Sequence, residues 1–183
     1  MNEIVPEFSR PLSVARLPPQ GAEERLEAKP TERKALAERF DLVDLRALKA
    51  QLNLTPEAQH AVIVTGIIEA NYIQRCVVTL EPIETHLDLK IDVTFFPEQQ
   101  REEGEILSPG DEIDDEVEFY AGGKIDIGEL VAQQLGVAID PYPRKADATL
   151  TRTEFGAKSE KPHPLAALTE AVKNKRNKEK TEC

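Results

Sequence analysis

The sequence predicts an α+β fold: a small antiparallel sheet packed with helices, an acidic loop and a basic helical C-terminal tail. Three observations predict it. From Ala58 to Phe96, β-branched and apolar residues recur with period two, the spacing of half-buried strands. Residues 125–139 (IDIGELVAQQLGVAI) recur instead at helical spacing. Charge is segregated: residues 98–118 hold ten acids against one base, whereas KNKRNKEK (173–180) is strongly basic.

In chain order, residues 4–19 read as an extended arm. Pro6, Pro11, Pro18 and Pro19 disfavour helix, while Leu12 and Val14 alternate as in a short strand. Residues 21–39 are rich in good helix formers, and Pro30 divides them. The expectation is a short helix before Pro30 and a second from about Thr31, with Thr31 as N-cap. Asp44 can cap another short helix that carries Leu45, Leu48 and Leu52 on one face. Three antiparallel strands follow: one around Val62–Ile68, one over Tyr72–Leu80, and one in which Leu87, Leu89, Ile91, Val93 and Phe95 alternate with polar residues. LEPIE (80–84) supplies the intervening turn, with Pro82 at a turn position. The acidic stretch 98–118 reads as a mobile loop whose charge stays in water, after which Val117, Phe119 and Ile125 return to the sheet. Asp126 is the N-cap of the next helix, with Glu129 three residues on in a variant of the capping box. Ile127, Leu130, Val131, Leu135 and Ala138 form its apolar face, and Pro141 and Pro143 end it. Pro164 begins a tail helix with a short stripe of Leu165, Leu168 and Val172. The organisation is thus an N-terminal arm with helices (1–57), a sheet-and-helix core (58–143) and a linker with basic tail (144–183).

Composition limits the function. The 183 residues carry a net charge of −11, 40 % hydrophobic residues, 5 % aromatics and no Trp. An acidic surface repels phosphate on average, so nucleic-acid binding requires a local basic patch. The N-terminus has early acids and prolines and no apolar signal region. No apolar run approaches the roughly 20 residues of a membrane helix. Two cysteines make no disulfide framework. The expectation is a cytoplasmic protein without a membrane partner.

The chemistry turns on Cys76. A nucleophilic cysteine needs a nearby base and a lowered pKa. Cys76 reads as mid-strand, and His86 on the following strand is the histidine that could approach it. A buried structural cysteine is the favoured reading, since free cysteine is among the most buried residue types. Two cysteines with scattered His60, His86 and His163 supply no zinc set, and GDEIDDEVE lacks the calcium-loop spacing. No catalytic residue, cofactor or metal is assigned. The cations Lys173, Lys175, Arg176, Lys178 and Lys180 are the strongest candidates for phosphate or partner contact, on a tether whose helix is too short to be stable alone. Tyr142, Arg144 and Lys145 in PYPRK form a second, weaker candidate set.

Three stretches carry a resemblance: QRCVVTLEPIE (74–84), KIDIGELVAQQLGVAIDPYPRK (124–145) and EKPHPLAAL (160–168). In their order and spacing the chain resembles the YceD-type family, named for large ribosomal RNA subunit accumulation, and VVTLEP with DPYPRK is similar to its alphaproteobacterial branch. Many members carry C-Q-R-C where this chain has Ile73-Gln74-Arg75-Cys76, so one cysteine of that motif is missing here. Many also carry a Cys or His where this chain has Pro143 and Arg144. The resemblance implies a non-enzymatic ribosome biogenesis factor that supports 23S rRNA accumulation and large-subunit assembly. Its implied partners are precursor 23S rRNA, the assembling large subunit, or a basic ribosomal or processing protein. The alternatives are an acidic protein-interaction adaptor without direct RNA contact and, third, a hydrolase using Cys76 and His86.

Overall fold

The structure, a computed structural model, describes residues 6–99 and 116–148. A short strand β1 (Pro11–Ser13) is followed by β2 (Ala22–Glu27), helix α1 (Pro30–Arg39), and the long strands β3 (Asp44–Pro56), β4 (Val62–Arg75) and β5 (Pro82–Pro97). Then come β6 (Glu116–Tyr120), β7 (Lys124–Asp126) and helix α2 (Ile127–Ala138). The main sheet has the order β2-β3-β4-β5-β6, antiparallel except for the parallel β5–β6 pair. Strands β1 and β7 form a separate antiparallel pair. Mixed sheet and two helices make an α+β fold.

Register builds the core. Leu26, Ala50, Ile68 and Leu89 lie side by side across β2, β3, β4 and β5; Leu54, Val64 and Val93 form a parallel row. Side chains of a strand alternate between faces, so these rows share one face. All but Leu89, which packs against it half-buried, belong to the same buried cluster as Leu36 of α1 and Leu130, Val131 and Leu135 of α2. The outward residues of the same strands, such as Lys49, Gln51, Glu69 and Asp88, are exposed.

The elements before Val62 differ from expectation. Residues 22–27 are a strand, not a helix, because they pair with Leu54–Lys49 of β3 and bury Leu26. Helix α1 does exist, but its N-cap is Lys29 and not Thr31; Pro30 occupies the first turn, and Glu32 accepts from the Lys29 N–H at 2.7 Å. The segment from Asp44 is a strand of 13 residues rather than a capped helix. A register shift between Leu45 and Ala47 puts Leu45 and Leu48 on the same buried face, three residues apart. The two strands expected between Val62 and Leu80 are one continuous strand, β4, which ends at Arg75.

The return of Val117 and Phe119 to the sheet is observed in β6, so Glu116–Glu118 are strand rather than loop; Ile125 joins the small sheet instead. The remainder of the expected acidic loop, residues 100–115, lies outside the described residues. Helix α2 starts as its sequence predicts: Asp126 accepts from the N–H groups of Gly128 and Glu129. The same carboxylate also accepts from Arg10 N at 2.6 Å and Ser9 Oγ at 2.5 Å, which fixes the N-terminal arm across the start of α2. Arg10 forks onto Glu32 of α1 at 2.9 and 3.0 Å, and Arg39 of α1 reaches both Glu7 and Glu129. Arm and helices are therefore bound to one another by charge-assisted contacts.

Candidate functional site

The turn between β4 and β5 is the place where the first and second resembling stretches meet. Cys76 N donates to Glu81 O at 2.8 Å, and Leu80 N donates to Cys76 O at 2.9 Å. Leu80 closes the turn in the left-handed region, with φ of 60°. The segment after α2 packs onto this turn. Val77 N donates to Pro143 O at 2.9 Å, and Gln74, itself buried, donates from Nε2 to Asp140 O at 2.9 Å. Lys145 Nζ meets Glu81 Oε2 at 2.7 Å. A carboxylate far down one motif thus holds the cation at the end of the other. That contact holds Glu81 below the usual carboxylate range and Lys145 above the usual amine range.

Beside the junction lies a cleft of about 360 Å³. Its walls come from Phe40–Val43, from Gln74, Arg75 and Val77, and from Ile139–Pro141 with Pro143. Val43 and Val77 remain about half exposed there. Tyr142, between two of the lining prolines, is 71 % exposed, and its backbone is fixed by Tyr142 N donating to Asp140 Oδ1 at 2.8 Å. Arg75 and Arg144 are exposed and have no ion-pair partner among the described residues. Asp41 and Asp140 line the cleft together with Arg75, so it is mixed in charge.

The predicted set Tyr142, Arg144 and Lys145 lies in the segment that packs onto the β4–β5 turn, in unequal states. Tyr142 and Arg144 are open to solvent, while Lys145 is engaged by Glu81. Arg75 was not selected from the sequence. The available signal was its place beside Cys76 in the first stretch, with an exposed, strand-alternating position. The cations Lys173, Lys175, Arg176, Lys178 and Lys180 lie outside the described residues.

Cys76 differs from a mid-strand residue. It directly follows β4 and opens the turn. It is buried, yet it stands outside the contiguous hydrophobic core. Thr79 N donates to its sulfur at 3.4 Å. The hydroxyl and N–H of Thr79, with the N–H groups of Lys145 and Val78, hold its thiol down to about 6 against the opposing effect of burial. His86 takes no part. It sits opposite Asn71 in the β4–β5 pair, bonds Asn71 Oδ1 through Nδ1 at 2.7 Å, and places Nε2 3.2 Å from Asp88. The lowering of the thiol follows from the turn's donors and not from a base.

A testable consequence is a thiolate ultraviolet absorbance that titrates with a midpoint near 6, moving upward toward the ordinary thiol value in Thr79→Ala. Because the folded value is depressed, the thiolate's contribution to stability is present above the ordinary thiol pKa. It is lost as pH falls through about 6.

Residues 64–180 match the family described as large ribosomal RNA subunit accumulation protein YceD, and the chain belongs to that family. No curated protein and no solved structure matches the chain. Among the described residues no helix is long and apolar enough to cross a membrane.

Proposed function

We propose that this YceD family member supports accumulation of large-subunit ribosomal RNA as a non-catalytic cytoplasmic binding factor, and that the junction of the β4–β5 turn with Asp140–Lys145 is its contact surface. One observation carries the reading: residues lying 64 to 66 positions apart in sequence are joined by Val77–Pro143, Gln74–Asp140 and Glu81–Lys145, and Tyr142, Arg75 and Arg144 at this junction are exposed. Tyr142 stacks on an unpaired base, and Arg75 and Arg144 meet the flanking phosphates. The tail cations Lys173, Lys175, Arg176, Lys178 and Lys180 extend the phosphate contact. The net charge of −11 confines binding to these local patches and keeps the rest of the surface off RNA.

The test is binding of the full chain to precursor 23S rRNA across a salt series. Arg75→Ala and Arg144→Ala are each expected to flatten the slope of log K against log salt by about 0.7 on a single strand or 0.9 on a duplex. Tyr142→Ala is expected to lower affinity by about 1–3 kcal/mol with the slope unchanged. Equal affinity and slope in all three variants would move the RNA contact to residues 164–183. RNA binding without salt dependence, or none, would favour the second reading: an acidic adaptor that meets a basic ribosomal or processing protein.

A further inference from the structure

Among the described residues, β5 has one neighbouring strand along most of its length. On its far side β6 pairs with Val93–Pro97, and among the described residues no strand pairs with Pro82–Asp92 there. An open edge of this kind presents unpaired N–H and C=O groups, a template for another strand. Its inner face carries Ile83, Thr85, Leu87 and Leu89, which are only half-buried, whereas Ile68 and Ala70, opposite Leu89 and Leu87 on β4, are fully buried. Its outer face carries the exposed Glu84, His86, Asp88 and Lys90.

These side chains complement themselves. In an antiparallel pair of identical strands with a two-fold axis at Leu87, Glu84 lies opposite Lys90 of the second copy, and His86 lies opposite its Asp88. On the inner face Leu87 meets Leu87, Thr85 meets Leu89, and Ile83 meets Ile91. The opposite charges of Glu84 and Lys90, and apolar residues placed directly across from one another, are favourable combinations in a sheet, and the His86 ring can hydrogen-bond the facing Asp88. The axis position is also the one the fold permits. Leu87 is the midpoint of Pro82–Asp92, so this register uses the open edge in full and stops where β6 begins. An axis moved to Leu89 would set the second copy's Thr85 opposite Val93, which β6 already occupies. An axis at His86 would set Glu84 against Asp88, two like charges. A register shifted by a single residue would put outer against inner side chains.

We propose that the open edge of β5 is a homodimer interface, in which Pro82–Asp92 of two copies pair antiparallel about a two-fold axis at Leu87 and join two sheets into one. The interface is isologous and closed, so it yields a dimer rather than a filament. Within one copy Glu84 meets Arg46 at 3.0 Å and His86 meets Asp88 at 3.2 Å, all at exposed positions. Such pairs are weak in water and rearrange at little cost.

The experiment is sedimentation equilibrium of the full chain across a concentration series, with hydrogen exchange read at the amides of 82–92. The wild-type chain is expected to dimerise and those amides to become protected as concentration rises. Lys90→Glu and Glu84→Lys each set like charges across both symmetry-related pairs. Each is expected to weaken the dimer by about tenfold or more. An equimolar mixture of the two variants is expected to associate like wild type, because each carries the charge that the other lacks. That recovery also shows that both variants are folded. A chain that stays monomeric at every concentration, a dimer untouched by either reversal, or a mixture that fails to recover overturns the proposal.

Discussion

Gly66→Ala is expected to cost the fold about 2–3 kcal/mol, read as a lower urea midpoint with an unchanged denaturant slope. Gly66 lies on the inner face of β4, opposite Leu52 on one side and Ile91 on the other. A Cβ at this position would overlap the carbonyl oxygen of Gln51 and stand 3.0 Å from both Cα and Cδ2 of Leu52. Two of these three atoms are backbone, so the strain cannot be relieved by a side-chain rotation. It must be relieved by parting β3 from β4. Leu52 is fully buried, and the space a glycine leaves is the space its side chain fills. The gain in strand propensity from alanine, below about 1 kcal/mol, does not offset this. The neighbouring Ile67 faces the other way and is 46 % exposed. Ile67→Thr is therefore the control and should change stability by no more than about 0.5 kcal/mol. Equal effects of the two substitutions would refute the packing argument.

Asp126→Ala is expected to cost about 3 kcal/mol and to release the N-terminal arm, seen as new proteolytic cleavage before β2. Its carboxylate accepts from four donors on two segments: Gly128 N, Glu129 N, Arg10 N and Ser9 Oγ. Loss of an N-cap alone costs about 0.5–2 kcal/mol. Stranding the Arg10 N–H without an acceptor adds about 1–3 kcal/mol. Asp126→Asn keeps an oxygen for the cap and for Arg10 but loses the second acceptor facing Ser9, so about 1 kcal/mol is expected. If alanine and asparagine behave alike, the arm is held by Arg10–Glu32 and Arg39–Glu7 rather than by Asp126.

The legible parts of the fold were those whose local pattern and tertiary role agree. Asp126 caps α2 because a short acidic side chain satisfies free helix N–H groups wherever a helix begins. Strand β5 was readable because a single face of it is buried, and alternation records that directly. Leu12 lies in β1 as its alternation suggested, whereas Val14 leaves the strand and opens a 3-10 turn over Val14–Arg16. The family relation was legible as well, since QRCVVTLEPIE and DPYPRK keep their residues in order.

Elsewhere local chemistry pointed the wrong way. AEERLE is built of helix formers, but propensities of a few tenths of a kcal/mol per residue yield to pairing with β3 and the burial of Leu26. Leu45 and Leu48 mimic a helical face because an irregularity in β3 inserts a residue and changes the parity of the alternation. The polar Glu69 and Asn71 between Ile68 and Tyr72 made one strand look like two, although both are outward residues of a continuous β4 whose Ala70 is buried. The state of Cys76 was beyond local reading. Its sulfur depends first on the Thr79 hydroxyl and then on the N–H groups of Thr79, Lys145 and Val78, and Lys145 arrives from the far side of α2.

By itself, then, the sequence determined the composition of the elements, the start of α2, the alternation of β5, the charge segregation and the family. Each of these depends on residues within a few positions of one another, or on direct likeness along the chain. Tertiary structure alone decided that 22–27 and 44–56 are strands, that a Cβ at Gly66 would meet the backbone of β3, and that Arg75 lines the same cleft as Pro141 and Pro143. These depend on which segments lie opposite one another, and register is fixed by the burial of whole faces at once, a quantity that no short stretch of sequence contains.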